Sequence, residues 1–217
     1  LATARTVRNG PAAARLAEAL RLHPVIAAVR DDAGLTAALA APTRVVFLLA
    51  AHIGRVGAMG TAAAEAGKQL FIHLDFVEGL GRDEAGLEFL VQGARPAGLI
   101  TTRTGLVQAA RKAGVLPVQR LFLLDSQSVG TGIEAARTSR AEVVEVLPGI
   151  VPRAIGAIRS QLSGTVIIAG GLVRSEKEVA RALAAGASGI STSNHALWHL
   201  DPTTLHQHAA KDGQETP

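Results

Sequence analysis

The chain has no cysteine and no tyrosine, one methionine and one tryptophan, and of its 22 basic residues only four are lysines. Lack of cysteine excludes disulfides and thiolate metal sites and suits a reducing interior. Lack of tyrosine, with only five phenylalanines, leaves few rings for stacking nucleobases. Scarce lysine leaves few amines for Schiff-base chemistry. It also leaves little that titrates between pH 7 and 10, so a sequence pI near 10.3 overstates a formal net charge of +4. The arginine excess suits planar phosphate recognition, although a GC-rich coding bias gives the same ratio. Apolar runs break well short of the ~18 residues of a membrane span, and no basic-plus-apolar leader is visible. The expectation is a soluble, cytoplasmic protein with no membrane partner, and 217 residues suffice for one sizeable core.

What is present is an alternation. Residues 11–22 put Leu16 and Leu20 on one face of a leading helix that plugs or flanks the rest of the fold. Eight short apolar runs come next: Val25–Val29, Val45–Leu49, Leu70–Leu74, Gly98–Thr101, Pro117–Leu121, Val143–Leu147, Val166–Ala169 and Gly189–Thr192. Near-continuous apolar strands separated by helices argue for a parallel sheet buried on both faces, and eight of them argue for closure. Helix boundaries are signalled by Thr104 as N-cap with Gly114 past the end, and by Pro152 in a first turn. Ser175 with Glu178 forms a capping box before a helix ended by Gly186, and Asp201-Pro202 opens a last helix. The expected fold is α/β, a closed (β/α)8 barrel with an extra N-terminal helix. Residues 1–23 form the extension, 24–210 a single barrel domain and 211–217 a polar tail.

In such a barrel the ligand meets the carboxyl ends of the strands. Polar residues collect there: Arg30, His52, His73, Asp75, Thr102, Arg103, Gln119, Arg120, Asp125 and Glu145. His73 and Asp75 share strand parity, so both face the barrel mouth. Glu145 shares parity with Val143 and Leu147, and an inward carboxylate needs a partner, Arg103 or Arg120. A purely structural polar plug would use the same residues. His195, His199, His206 and His208 have no carboxylate in register, so no metal site is expected. The four lysines fall before a strand, on helices or in the tail, which disfavours a Schiff-base aldolase. His52 and His73 match half of a metal-dependent epimerase, but Ala50 and Ala169 stand where its proton-carrying carboxylates belong.

The stretch Val166–Trp198 carries the sharpest signal. Gly170 and Gly171 end one run; Thr192, Ser193 and Asn194 end the next. Glycines let backbone N–H groups approach an anion, and the start of the following helix adds unpaired N–H groups and a positive dipole end. Two such turns one helix apart form the phosphate site after strands 7 and 8 of many (β/α)8 barrels. A Gly-Gly pair alone is more often only a turn; the Thr-Ser-Asn turn one strand later gives it weight.

The segments I-H-L-D-F-V-E-G-L at 72–80, P-A-G-L-I-T-T-R at 96–103, R-L-F-L-L-D-S at 120–126, E-V-L-P-G at 145–149, I-A-G-G-L-V-R at 168–174 and T-S-N-H-A-L-W at 192–198 resemble, in order and spacing, the glycerol-3-phosphate-responsive antiterminator family. The resemblance runs from about Pro24 to Leu200. It implies a TIM barrel without catalytic residues or cofactor, glycerol 3-phosphate as effector, and leader mRNA as partner, so that transcription of glycerol-utilisation genes reads through a terminator. It implies Gly170, Gly171, Thr192, Ser193 and Asn194 at the phosphate, and His73, Asp75, Arg103, Gln119 and Glu145 toward the glycerol hydroxyls. Arg55, Arg82, Arg153 and Arg174, in loops or helix starts near the mouth, are candidate RNA contacts. The chain departs from the family pattern at Ala50 and in the glycine-rich 127–132 loop, which bears on loop conformation. The alternatives are a phosphosugar enzyme using Asp75, Glu145 or His73 as acid or base, and a metabolite-binding barrel that never touches RNA.

Overall fold

All eight apolar runs become parallel strands in the computed structural model, which describes residues 10–212; the leading residues 1–9 and residues 213–217 of the expected tail lie outside the described residues. The strands are β1 (Val25–Val29), β2 (Val45–Leu48), β3 (Gln69–His73), β4 (Gly98–Thr101), β5 (Leu116–Phe122), β6 (Val143–Leu147), β7 (Val166–Gly170) and β8 (Gly189–Thr192). Each pairs with the next in chain order, and β8 returns to β1 through Ile26 opposite Ser191, closing the barrel. The helices are α1 (Pro11–Leu22), α2 (Asp32–Ala40), α3 (Val56–Glu65), α4 (Glu84–Ala94), α5 (Thr104–Lys112), α6 (Ser126–Ser139), α7 (Pro152–Gln161), α8 (Glu176–Ala184) and α9 (Pro202–Asp212). The last takes in residues 211 and 212, which the sequence reading gave to the tail.

The strands carry apolar residues on both faces because both are covered. Ile26, Phe47, Phe71, Ile100, Val118, Val143 and Ile168 fill the barrel, while Val25, Val46, Ile72, Leu99, Leu121, Val144 and Ile167 pack under the helices. Helix α1 is the stopper at the amino end: Ala13, Leu16, Ala19 and Leu20 are buried in the inner cluster. A Cβ at Gly189 would lie 2.7 Å from Leu20 Cδ2, so the first residue of β8 has no room for a side chain where α1 seats. Lys68 is tied down just before β3, its Nζ donating to the carbonyls of Ala41 and Thr43 at 2.6 Å.

Local signals set the ends of the elements. Ser175 and Glu178 form the reciprocal capping box, Asp201 accepts from the Thr204 amide, and Gly114 and Gly186 end α5 and α8 with positive φ. Thr104 differs from expectation. Arg103 occupies the N-cap of α5 without a side-chain cap, and the Thr104 hydroxyl accepts from Gln119 Nε2 at 3.3 Å instead. Asp75 is not on a strand but in a single 3-10 turn, Leu74–Phe76, that bends the chain as it leaves β3. His52 lies in a two-residue strand, Ala51–His52, paired in parallel with Val77–Glu78 as a small second sheet outside the barrel. No helix among the described residues is long and apolar enough to cross a membrane.

Candidate functional site

Continuing each inward-facing row toward the carboxyl ends gives the inner wall of the mouth. Ile26 and Ala28 lead to Arg30, Phe71 to His73, Val118 to Arg120, Val143 to Glu145, Ile168 to Gly170 and Gly189 to Ser191. The Glu145 carboxylate, 1% exposed, needs compensation that deep. Its Oε2 accepts from Arg120 Nε at 2.7 Å and its Oε1 from the Ser191 hydroxyl at 2.6 Å. A Cβ at Gly170 would sit 2.5 Å from both Glu145 Oε1 and Ser191 Oγ, so Gly170 makes room for that bond. Of the two partners expected for Glu145, Arg120 is the one present, while Arg103 Nε faces Asp75 Oδ1 at 3.3 Å.

Asp75 is buried at the opposite side of the mouth. Its Oδ2 accepts from the Thr101 hydroxyl at 3.0 Å and from the Thr102 amide at 3.2 Å. His73 Nδ1 lies 3.8 Å from that oxygen, too far for a hydrogen bond. Neither ring nitrogen of His73 has a partner among the described residues. Burial first, and then the Arg120 charge, push the His73 pKa down to about 4 against the pull of Asp75, so the ring is neutral at pH 7. Phe76 lies against it with centroids 4.6 Å apart.

The two turns singled out in the sequence are stitched together. The Thr192 hydroxyl donates to the Val173 carbonyl at 2.9 Å and accepts from the Asn194 amide at 3.1 Å. Asn194 Nδ2 donates to the Arg174 carbonyl at 3.0 Å, and its Oδ1 accepts from the Ala196 amide at 3.1 Å. Gly171 and Leu172 are successive left-handed residues, at φ 76° and 63°, a conformation that glycine adopts freely and leucine rarely. Above these turns opens a cavity of about 510 Å³ walled by Gly171–Arg174 and Ser191–Asn194 and reached by Arg30, Arg120 and Glu145. The amides of Gly171, Leu172, Val173 and Ser193 donate to nothing among the described residues. The start of α8 differs in part from expectation as an anion site: its box engages three amides, since Glu178 accepts from Arg174 N and Ser175 N, and Ser175 Oγ accepts from Glu178 N, and leaves those of Glu176 and Lys177.

Gln119 corrects the sequence reading. It points away from the mouth into the layer between barrel and helices, where its Oε1 accepts from Ser139 Oγ at 2.6 Å and its Nε2 donates to Thr104. The residues on either side of it face inward, so parity excludes it from the inner wall. The four candidate RNA arginines sit on four different loops or helix starts. Arg174 walls the cavity, Arg55 pairs with Asp32 at 3.0 Å, Arg153 is exposed in the first turn of α7, and Arg82 is exposed in the loop before α4. Exposed His52 accepts from the Gly54 amide, His195 stacks on Trp198 at 4.0 Å, and His208 meets Glu176 at 3.1 Å. Two further wall residues are Arg30, which the sequence reading named among the polar strand ends without a specific role, and Ser191, which it did not single out. Counting by twos from buried Ile26 and Gly189 finds both.

These observations define a (β/α)8 barrel whose cation-lined cavity lies at the carboxyl ends of its strands, beside two joined turns with spare amides. The chain belongs to the family described as Glycerol-3-phosphate responsive antiterminator, whose profile matches residues 25–198. It is similar to the crystal structure of the glycerol uptake operon antiterminator regulatory protein from Listeria monocytogenes, with 30% identity over 81% of this chain and 95% of that one, TM-score 0.77. It is also similar to a glycerol uptake operon antiterminator-related protein from Thermotoga maritima, with 36% identity over 80% and 96%, TM-score 0.73. An uncharacterized Escherichia coli K12 protein, YgcP, is 34% identical over 181 residues, 83% of this chain and 94% of that protein.

Proposed function

We propose that this protein is a cytoplasmic, non-enzymatic sensor of glycerol 3-phosphate that binds leader mRNA and promotes antitermination of glycerol-utilisation genes. The observation that carries the ligand half is that Gly171–Val173 and Ser193, whose amides have no partner among the described residues, line one cavity with Arg30 and Arg120. Spare N–H groups and guanidinium groups around one hollow are what a phosphate needs. In this reading Gly170 and Gly171 set the backbone, Thr192 and Asn194 hold the two turns in register, and Ser193 offers amide and hydroxyl. Glu145, which lines the cavity, is assigned to the hydroxyl end, and His73, Asp75 and Arg103 lie outside the cavity wall on the β3–β4 side of the mouth. The RNA half rests on membership of the antiterminator family and on exposed Arg82 and Arg153.

The enzyme alternative is less well served. Each Glu145 oxygen accepts from Arg120 or Ser191, Asp75 Oδ2 accepts from Thr101 and Thr102, and Lys68 is committed at the far end of the barrel. Isothermal titration of the full chain with glycerol 3-phosphate, with glycerol as control, tests the reading. Saturable heat with the phosphate ester and none with glycerol is expected; no heat at millimolar ligand defeats it. Solvent deuterium appearing in the bound ligand would favour the enzyme.

A further inference from the structure

Charge is unevenly spread around the cavity at the β7 and β8 turns. Arg30 follows β1 and Arg174 follows β7; both are exposed, both line the cavity on the side of the joined turns, and β8 alone stands between those two strands. Neither is in an ion pair among the described residues, and Glu178, four residues beyond Arg174, is turned to the amides before α8. Arg120, on β5, is 7% exposed and commits its Nε to Glu145, on β6, which is 1% exposed. The excess positive charge therefore lies at the turns, and the β5–β6 side presents a buried ion pair of no net charge. Hydrogen-bonding capacity is as uneven. Amides and guanidinium groups only donate, and the Thr192 hydroxyl and Asn194 amide group are spent within the turns. Glu145 is the one carboxylate lining the cavity among the described residues. A carboxylate only accepts, at about four lone-pair positions. Arg120 and Ser191 each take one, so about two remain open.

We propose that Glu145 is the specificity-determining residue of this cavity: it reads a hydroxyl on the uncharged end of the ligand and turns away a ligand that is anionic at both ends. The inference rests on the ligand half of the proposed function and narrows its class to phosphate esters of small uncharged polyols. Such an ester carries about two negative charges near neutral pH, which the three lining arginines, less the charge of Glu145, balance. Its phosphate goes to the turns, where the excess charge and the free amides lie, and a hydroxyl at the other end donates into the open lone pairs of Glu145. At that depth the bond is charge-assisted and shielded from water. A carboxylate in the same place brings no hydrogen and sets lone pair against lone pair. Arg120 does not rescue it, because an anion at that guanidinium also meets the carboxylate 2.7 Å from its Nε.

The test is isothermal titration of the full chain with three ligands that share the phosphate. They are glycerol 3-phosphate, propyl phosphate, which has no hydroxyl, and 3-phosphoglycerate, in which a carboxylate replaces the terminal hydroxymethyl group. Affinity should fall in that order, by at least about tenfold from first to last. Glu145→Gln keeps the shape and removes the charge. It should weaken glycerol 3-phosphate, strengthen 3-phosphoglycerate and narrow the ratio between them at least about fivefold. If that variant shows no urea transition, Arg120→Gln combined with Glu145→Gln leaves no unpaired buried charge and should narrow the ratio likewise. The proposal is overturned if the wild type binds propyl phosphate or 3-phosphoglycerate at least as tightly as glycerol 3-phosphate, or if the glutamine variant keeps the full ratio. A wild type that binds none of the three overturns the ligand half of the proposed function itself, a result distinct from the others.

Discussion

The neutral imidazole of His73 ties stability to pH. Its pKa falls from an ordinary 6.5 to about 4 in the folded chain, so on acidification the unfolded chain takes up a proton that the folded one refuses. Stability is full above about pH 6.5 and drains away toward pH 4, and buried His23, also lowered by desolvation, acts with the same sign. Between pH 7.5 and 5 the His73 contribution amounts to about 2 kcal/mol. Urea melts at the two pH values should therefore show a smaller loss in His73→Gln than in the wild type; equal losses would assign the effect elsewhere. At this scale the sequence was legible through parity. Alternation placed His73 and Glu145 on the inner wall, because a two-residue period leaves no other option once one neighbour is known to be inside. It failed at Gln119 because β5 is apolar on both faces, and nothing in P-V-Q-R-L says which face is inner. Asp75 reached the mouth by another path, through a 3-10 turn that parity does not describe.

The joined ends of β7 and β8 behave as one element. Thr192 faces outward from β8 and its hydroxyl serves both turns, as donor to Val173 and acceptor from Asn194. Thr192→Val keeps the shape and leaves both groups without a partner, which should cost about 1–3 kcal/mol in a denaturant melt. Titration should also show weaker glycerol 3-phosphate binding, because the amide wall loses its register; unchanged affinity would mean that the turns hold position without the stitch. The elements themselves were readable because each strand is a short aliphatic run and most helices carry a punctuating residue. The conflict at α8 was readable too. A capping box and an anion compete for the N-cap and N3 amides, and the Ser175–Glu178 spacing assigns those two to the box.

For the molecule as a whole, α1 is as much part of the barrel as any strand. Leu16 is fully buried in the inner cluster with Leu20, and Leu16→Ala should cost about 2–5 kcal/mol by the cavity it leaves, measured as a lowered urea midpoint at constant m. A negligible change would mean that the helix is dispensable for closure. Its amphipathic face was visible in the sequence, whereas which end it seals was not, since pattern gives a buried face and not its destination. With the amino end stoppered by α1, a small molecule in the cavity can enter and leave only past the loops at the carboxyl ends of the strands. Under the proposed function a polymer lying across those loops obstructs the exit, so its presence should slow escape of the bound metabolite, giving the complex a lifetime set by both guests together.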